Sequence, residues 1–222
     1  MPRIYISPSS QEQNIGTGSF GTEEEEMNKI ADALMSLLAK DGRFEAKRNT
    51  PDMDVYQMAA DSNQFNADIH VAIHSNAGGG AGTEVFAYGS HTNSERLAQA
   101  LYAQVAPLSP GSDRGVKYNP GLVEVGDRVA GTSALIELGF HDNAADAGWM
   151  VQGKTAIAAA LYRGVCDFYS YAYQALDGCI PDTSPATDHD IYLCVRVLQS
   201  KSEGLISQIL ELGYACKVLT LA

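Results

Sequence analysis

Residues 68–80 read DIHVAIHSNAGGG, and this stretch decides the fold. An apolar, β-branched run from Ile69 to Ile73 ends in His74, and a polar turn with three glycines follows. This pattern is typical of a buried strand that ends at the rim of a sheet. In open α/β sheets, ligands bind at the carboxyl ends of strands, so His74 is predicted to lie at a binding site. The simpler interpretation is a strand-end histidine bonded to backbone.

The spacing of His70 and His74 would also suit a helical metal motif, in which residues four apart share a face. The run has no Glu between the two histidines and is rich in Val and Ile, which favours a strand. On a strand the two rings would lie about 13 Å apart, at about 3.3 Å per residue. Only one of them can then bind a given metal ion, and His74 is the one that borders the loop.

Strand and helix patterns alternate on both sides of this stretch. Strands are predicted at residues 3–6, 44–48, 69–73, 83–88 and 133–138, and helices at 22–40, 54–66, 93–106 and 153–174. Residues 107–120 are predicted as loop, and 122–125 as a short strand or turn. The alternation predicts an α/β fold, with a twisted, mostly parallel sheet flanked by helices.

The 222 residues, 45% of them hydrophobic, suffice for one good core and a small extra unit. We expect a main domain over residues 1–175, a linker rich in Pro, Asp and Thr over 176–190, and a small C-terminal βαβ unit over 191–222. A unit below about 40 residues seldom folds unaided. It must dock on the main domain or pair with a second copy, which motivates a homo-oligomer hypothesis.

The net charge of −12 disfavours nucleic acid as a partner. No window has the roughly 20 apolar residues of a membrane span, and residues 1–10 lack the apolar core of a secretory signal. Synthesis in the cytoplasm without membrane insertion is therefore expected. The four cysteines lie in the last quarter and form no CxxC pair, which favours buried thiols over a zinc site.

Two acidic positions suggest chemistry. Glu23 and Glu24 both flank the apolar stripe of the first helix, and the pattern does not choose between them as a candidate ligand. Glu137 stands near the end of the buried run SALIEL, where a carboxylate is unusual. It is either a partner for Arg114 or Arg128 or a general base beside a metal-bound water.

The chain resembles the zinc-dependent N-acetylmuramoyl-L-alanine amidases, a family that includes phage endolysins and bacterial autolysins. The stretches that carry the resemblance are IYISPSSQ, GTEEEEMNKIA, DIHVAIHSNAGG, DRGVKYN and SALIELGFHDN. The resemblance implies that Glu24, four residues before Asn28, and His74 bind Zn²⁺. It also implies that Glu137, in the motif completed by Asn143, is catalytic.

One departure from the family pattern concerns the third zinc ligand. The family's first strand normally ends Asp-Pro-Gly-His-Gly, but residues 7–11 here are Ser-Pro-Ser-Ser-Gln. We expect Gln11 to replace the missing histidine, with Ser10 as the alternative, and Glu23 and His141 as further candidates. The simpler interpretation of His141 is a solvated loop residue. Amide oxygen is a weaker zinc ligand than imidazole, so loose metal binding is expected.

The resemblance implies hydrolysis of the amide between N-acetylmuramic acid and L-alanine in peptidoglycan, so that the protein acts on the extracellular cell wall. Asn76 would hold the loop or the substrate. Two alternatives stay open: a catalytically inactive peptidoglycan-binding module, suggested by the missing histidine, and a zinc peptidase that cuts within the stem peptide. The C-terminal unit loosely resembles half of a glycan-binding module, which suggests wall binding or dimerisation.

Overall fold

The computed structural model describes residues 1–112 and 114–174, and its centre is a six-stranded sheet. The strands are β1 (Arg3–Pro8), β2 (Glu45–Arg48), β3 (Ile69–Asn76), β4 (Glu84–Ala87), β5 (Val116–Tyr118) and β6 (Thr132–Phe140). The helices are α1 (Glu23–Asp41), α2 (Val55–Phe65), α3 (Asn93–Val105), α4 (Ala144–Gln152) and α5 (Lys154–Phe168), with one 3₁₀ turn at Ala106–Leu108.

The predicted mostly parallel sheet is confirmed. The strand order is β2-β1-β3-β6-β4-β5, and only the β4–β6 pair is antiparallel. The prediction missed β5, which falls within the expected loop 107–120, and α4. β5 has three residues and pairs with β4 at the sheet edge, so it is too short to show a period of two. The last helix ends at Phe168, before the expected residue 174, and residues 122–125 form turns.

The two faces of the sheet differ in chemistry because strand side chains alternate. Ile69, Val71 and Ile73 belong to the main apolar core, together with the inward faces of α1, α3 and α5. The side chains between them face the other way, where Ala72 packs in a small cluster with Val125 and Leu135. His70 and His74 share that second face, which α2 and the turns of residues 119–131 cover.

The predicted linker at 176–190 and the predicted βαβ unit at 191–222 lie outside the described residues, and the homo-oligomer hypothesis concerns that same part of the chain. Among the residues that the structure describes, no helix has the length and apolar character needed to span a membrane.

A buried carboxylate ties the end of α1 to α5. Asp41 accepts hydrogen bonds from Nε and Nη2 of Arg43, at 2.5 and 2.7 Å, and from the Tyr162 hydroxyl at 2.6 Å. Burial alone would raise the pKa of Asp41, but the bonds from Arg43 and Tyr162 outweigh it and lower that pKa below its ordinary value.

We expect Asp41→Asn to lower the free energy of unfolding at pH 7 by about 1–3 kcal/mol, as for other bonds to charged groups. Because the pKa of Asp41 is lowered in the folded state, its contribution is full above about pH 4 and falls as the carboxylate protonates at lower pH. Urea unfolding at pH 7 and pH 3 measures the difference. Asp32→Asn is the control, since Asp32 pairs with Arg48 at the exposed surface and should matter less. Equal effects of the two variants would contradict this expectation.

Candidate active site

The site is built around the imidazole of His74, at the carboxyl end of β3. Its Nδ1 lies 3.0 Å from Oε1 of Glu23, and its Nε2 lies 3.2 Å from Oε2 of Glu124. The ring is 6% exposed and both carboxylates are buried. Burial alone would lower the pKa of His74, but its bonds to Glu124 and Glu23 raise it well above the ordinary value. The two carboxylates therefore stabilise the positively charged form of the His74 ring.

Helix α1 delivers Glu23 to this position. The side chain of Thr22 caps the helix by accepting a hydrogen bond from the backbone of Glu25, and Glu23 follows directly in the first turn. Besides His74, the Glu23 carboxylate accepts bonds from the amide of Ser75 at 3.2 Å, from Asn14 at 2.7 Å and from the hydroxyl of Ser9. Burial opposes ionisation of Glu23, but these partners lower its pKa.

The structure places the carboxylate of Glu23 against His74 and places Glu24 elsewhere on the helix, so a role of Glu24 as a zinc ligand stays a prediction. Glu23 precedes Met27 by four residues and Ile30 by seven, and therefore lies on the buried stripe itself. Glu24 is turned one step around the helix and lines a surface depression with Asn28. The helical pattern alone does not show which of the two glutamates faces His74, whereas the packing of α1 against the sheet places Glu23 there.

Glu124 is a site residue that the sequence analysis missed. It lies in the turns of residues 119–131, where Oε1 accepts a short hydrogen bond from the Ser7 hydroxyl and lies 3.1 Å from Nε2 of His70. Although burial opposes ionisation, the bonds from His70 and His74 lower the pKa of Glu124 to about 2. The one signal in the sequence was an acidic residue inside the apolar run LVEV.

Glu137 lies on β6 in direct register with His74 on β3 and with Glu84 on β4. Its Oε2 atom is buried and has no hydrogen-bond partner among the described residues. Burial raises the pKa of Glu137 to about 7, against the opposing charge of His74. Arg114, considered above as an ion-pair partner, instead binds Glu84 at 2.5 Å. Glu137 thus faces the site as an acid that is easily protonated near neutral pH.

Gln11, expected to replace the missing histidine, reaches the site only indirectly. Its Oε1 accepts a bond from Asn14 at 3.0 Å, and the same Asn14 amide group bonds to Glu23. Ser10 offers its backbone carbonyl to the amide of Glu12 at 3.2 Å. The residue of this segment that touches Glu23 is Ser9, which was not expected.

His141 and Asn76 support the loops around the site. The interpretation of His141 as a solvated residue is wrong, because it is buried, stacks on Phe20 and lies 3.0 Å from the Ser75 hydroxyl through Nδ1. Asn76 donates to Glu84 at 3.0 Å and accepts from the amide of Ala77 at 2.8 Å. These bonds give both residues a bracing role in the described structure.

The glycine turn after β3 is fixed by Asp142. The backbone amides of Gly78 and Gly79 donate to its Oδ2 atom at 2.8 and 2.9 Å. Both glycines have positive φ angles, of 113° and 75°, which other residues seldom adopt. A Cβ atom at either glycine would meet no other atom within 4 Å, so the backbone of the turn is accessible to a ligand.

Acidic side chains and one imidazole are the possible ligands for a divalent cation at this site. The carboxylates of Glu23 and Glu124 are buried beside one imidazole, and Glu137 lies opposite that residue on β6, so acidic groups outnumber the imidazole. His74 Nδ1 and Glu23 Oε1 form a nitrogen and oxygen pair of the kind that zinc accepts. In residues 1–112 and 114–174, however, no three His, Cys, Asp or Glu side chains form a group that could hold a metal. His74 and Glu23 are thus the two described side chains whose donor atoms could serve a cation together.

Comparisons with known proteins agree with this picture. A family model described as N-acetylmuramoyl-L-alanine amidase matches residues 4–167. The amidase CwlM of Bacillus licheniformis is 27% identical over 155 residues, which are 66% of this chain and 60% of that relative. The chain thus spans less than two thirds of the length of this relative.

Solved structures of amidases share the fold. The catalytic domain of CwlV from Bacillus (Paenibacillus) polymyxa superposes with a TM-score of 0.70 at 19% identity, covering 78% of this chain and all of that domain. An amidase from Clostridium difficile 630 gives 0.65 at 22% identity, covering 76% and 97%. The catalytic domain of the CD27L endolysin, which targets Clostridia difficile, gives 0.62 at 20% identity, covering 75% and 98%.

The chain thus has the fold of amidase catalytic domains, and amidases are enzymes that hydrolyse amide bonds. Because the family model matches well over half of the sequence, the chain belongs to the N-acetylmuramoyl-L-alanine amidase family. Members of this family are generally zinc-dependent.

In chelator-treated protein, Glu137→Gln should raise the stability of the fold at pH 8, by on the order of 2 kcal/mol. The folded state raises the pKa of Glu137, so ionising this group costs stability as pH rises from its unfolded value toward about 7. The gain should vanish near pH 4, where Glu137 is protonated in both states. Thermal melting at both pH values is the measurement.

Glu84→Gln is the matched control for this prediction. Burial would raise the pKa of Glu84, but Lys117 and Arg114 bind its carboxylate and lower it, so this variant should be less stable than the parent at pH 8. The pKa of Glu137 is raised and that of Glu84 is lowered, so the two variants should change stability in opposite directions. Changes in the same direction would contradict this prediction.

Proposed function

We propose that this protein hydrolyses the amide bond between N-acetylmuramic acid and L-alanine in peptidoglycan, with Zn²⁺ as its cofactor. The single observation that carries the proposal is the register of β3 and β6, which sets Glu137 opposite the pair formed by His74 and Glu23. Family membership supplies the bond and the substrate. Because peptidoglycan is outside the cell membrane, the proposed place of action is the cell wall.

His74, through Nδ1, and Glu23 would hold the zinc ion, and oxygen donors of the 9–11 segment would complete its surroundings. A zinc ion bound there polarises the scissile carbonyl and makes its bound water more acidic. With two strong donors among the described residues, the ion should be held more loosely than in a site with two histidines.

Glu137 would act as the general base and then the general acid. It takes a proton from the attacking water as the new carbon–oxygen bond forms, and it gives that proton to the leaving nitrogen as the amide bond breaks. The products are the free lactyl carboxyl group of the muramic acid and a peptide with a free L-alanine amino group. In the metal-free protein, burial raises the pKa of Glu137 to about 7, and a bound cation would favour the ionised form that accepts the proton.

The neighbouring parts of the site would bind and orient the glycan and its peptide. The open glycine turn, held by Asp142, borders the space in front of His74 and admits a long polymer. Asn76 stands at the base of this turn and is bound to Glu84. Glu84 is paired with Arg114 and Lys117, and the chain is acidic as a whole, so recognition would rest on hydrogen bonds to sugar and peptide rather than on charge.

Glu137→Gln should reduce the release of peptides with a free L-alanine amino group by at least about 100-fold, the lower range for loss of a general base. Binding of the protein to insoluble peptidoglycan should persist, because the fold and the surface are retained. Mass spectrometry of the soluble products measures the reaction and also identifies the bond. Cleavage within the stem peptide would instead support a peptidase, and unchanged release would reject the role of Glu137.

Glu23→Gln and Glu24→Gln form a matched pair that separates the two adjacent glutamates. Glu23→Gln should lower zinc retention during dialysis and reduce turnover at least about tenfold, since a charged donor to the metal becomes a weak amide donor. Glu24→Gln should behave like the parent protein, because Glu24 lies outside the site. Bound zinc is measured by atomic absorption, and the reverse order of effects would restore Glu24 as the ligand.

A further inference from the structure

We propose that Glu124 is a positioning residue that fixes the ring of His74, so that Nδ1 faces Glu23 and the metal ion. This inference rests on the proposed zinc-dependent function. Glu124 comes from turns that lie 50 positions after His74 in sequence, and its carboxylate is 2% exposed.

The first step concerns the two nitrogens of the ring. Glu23 approaches Nδ1 at 3.0 Å, whereas Glu124 approaches Nε2 at 3.2 Å, on the opposite side of the imidazole. One ion shared by His74 and Glu23 must therefore bind the lone pair of Nδ1. The proton of the neutral ring then resides on Nε2, which donates it to Glu124. This places Glu124 on the wrong side to be a third ligand of that ion and on the right side to select the tautomer.

The second step concerns how firmly Glu124 is held. Its other oxygen accepts bonds from the Ser7 hydroxyl on β1 and from Nε2 of His70 on β3. The ring of His70 stacks on Tyr5, with centroids 5.3 Å apart, and the Tyr5 hydroxyl donates to Asp61 of α2 at 2.8 Å. The carboxylate is thus anchored to two strands, and through them to a helix.

The third step is what this anchoring does. A histidine that binds a metal usually donates its other N–H to a carboxylate or carbonyl, and this partner orients the ring and increases its basicity. The Glu124 carboxylate is buried, lies 3.2 Å from Nε2 of His74, and approaches the ring from the side opposite Glu23, as such a partner should. In a site with only two strong protein donors in the described part of the chain, a well-oriented imidazole matters more to metal binding than it would with three.

The test compares Glu124→Gln with His70→Gln in the full-length protein. Both changes disturb the same buried network, but only the first removes the carboxylate from Nε2 of His74. We expect Glu124→Gln to weaken zinc binding 10- to 100-fold in a competition titration with a chromogenic chelator, the usual range for such partners. His70→Gln should weaken it less than about threefold. Melting temperatures of both metal-free variants measure any loss of fold, and equal loss of zinc affinity in the two would overturn the proposal.

A second measurement uses the unaltered protein and so does not depend on the folding of a variant. In a long-range ¹H–¹⁵N spectrum of the zinc-loaded protein, His74 should carry its proton on Nε2 and bind zinc through Nδ1. Zinc on Nε2 would overturn the role of Glu124 while leaving the amidase proposal intact. A protein that releases L-alanine peptides in excess chelator and binds no zinc would overturn the zinc cofactor and this inference together.

Discussion

The buried contact between one imidazole and two carboxylates is the constraint on which this structure depends. A lone ionised carboxylate is very unfavourable away from water, and here Glu23 and Glu124 are both buried within hydrogen-bond distance of His74. Each needs hydrogen-bond donors, and the chain provides them from two stretches, residues 7–14 and 70–75. The architecture of β1, β3, α1 and the turns before β6 can be understood as the scaffold that delivers those donors.

The alternation of side chains along β3 separates this polar cluster from the main core. Ile69, Val71 and Ile73 pack against the helices, and the residues between them carry the chemistry on the opposite face. A shift of one residue in the strand register would bury the histidines among the helices and expose the aliphatic residues. The same apolar contacts that stabilise the sheet therefore also fix where His74 points, and the register with β6 then sets Glu137 beside it.

Much of the fold could be predicted because its main strands and helices have strong periodic patterns. The strand around His74 and the stripe of α1 are examples, and both lie where they were expected. The three-residue strand β5 could not be found in this way, since its position depends on pairing with β4 rather than on a pattern of its own. Short edge elements are determined by tertiary contacts, which a single sequence does not display.

In the site, too, some residues are recognisable from the local sequence, whereas others are identified only by contacts between distant parts of the chain. His74 and Glu137 stand at strand ends in recognisable motifs, so their neighbourhood could be anticipated. Which of Glu23 and Glu24 faces His74 depends on how α1 is rotated against the sheet. Adjacent residues of a helix point about 100° apart, so only one of the two can face the ring. Glu124 was marked only by its place in an apolar run, because its contacts with Ser7, His70 and His74 join positions at least 50 residues apart in sequence. A loop residue acquires such contacts only through the fold, which is why the orienting role proposed for this carboxylate could not be predicted from the sequence.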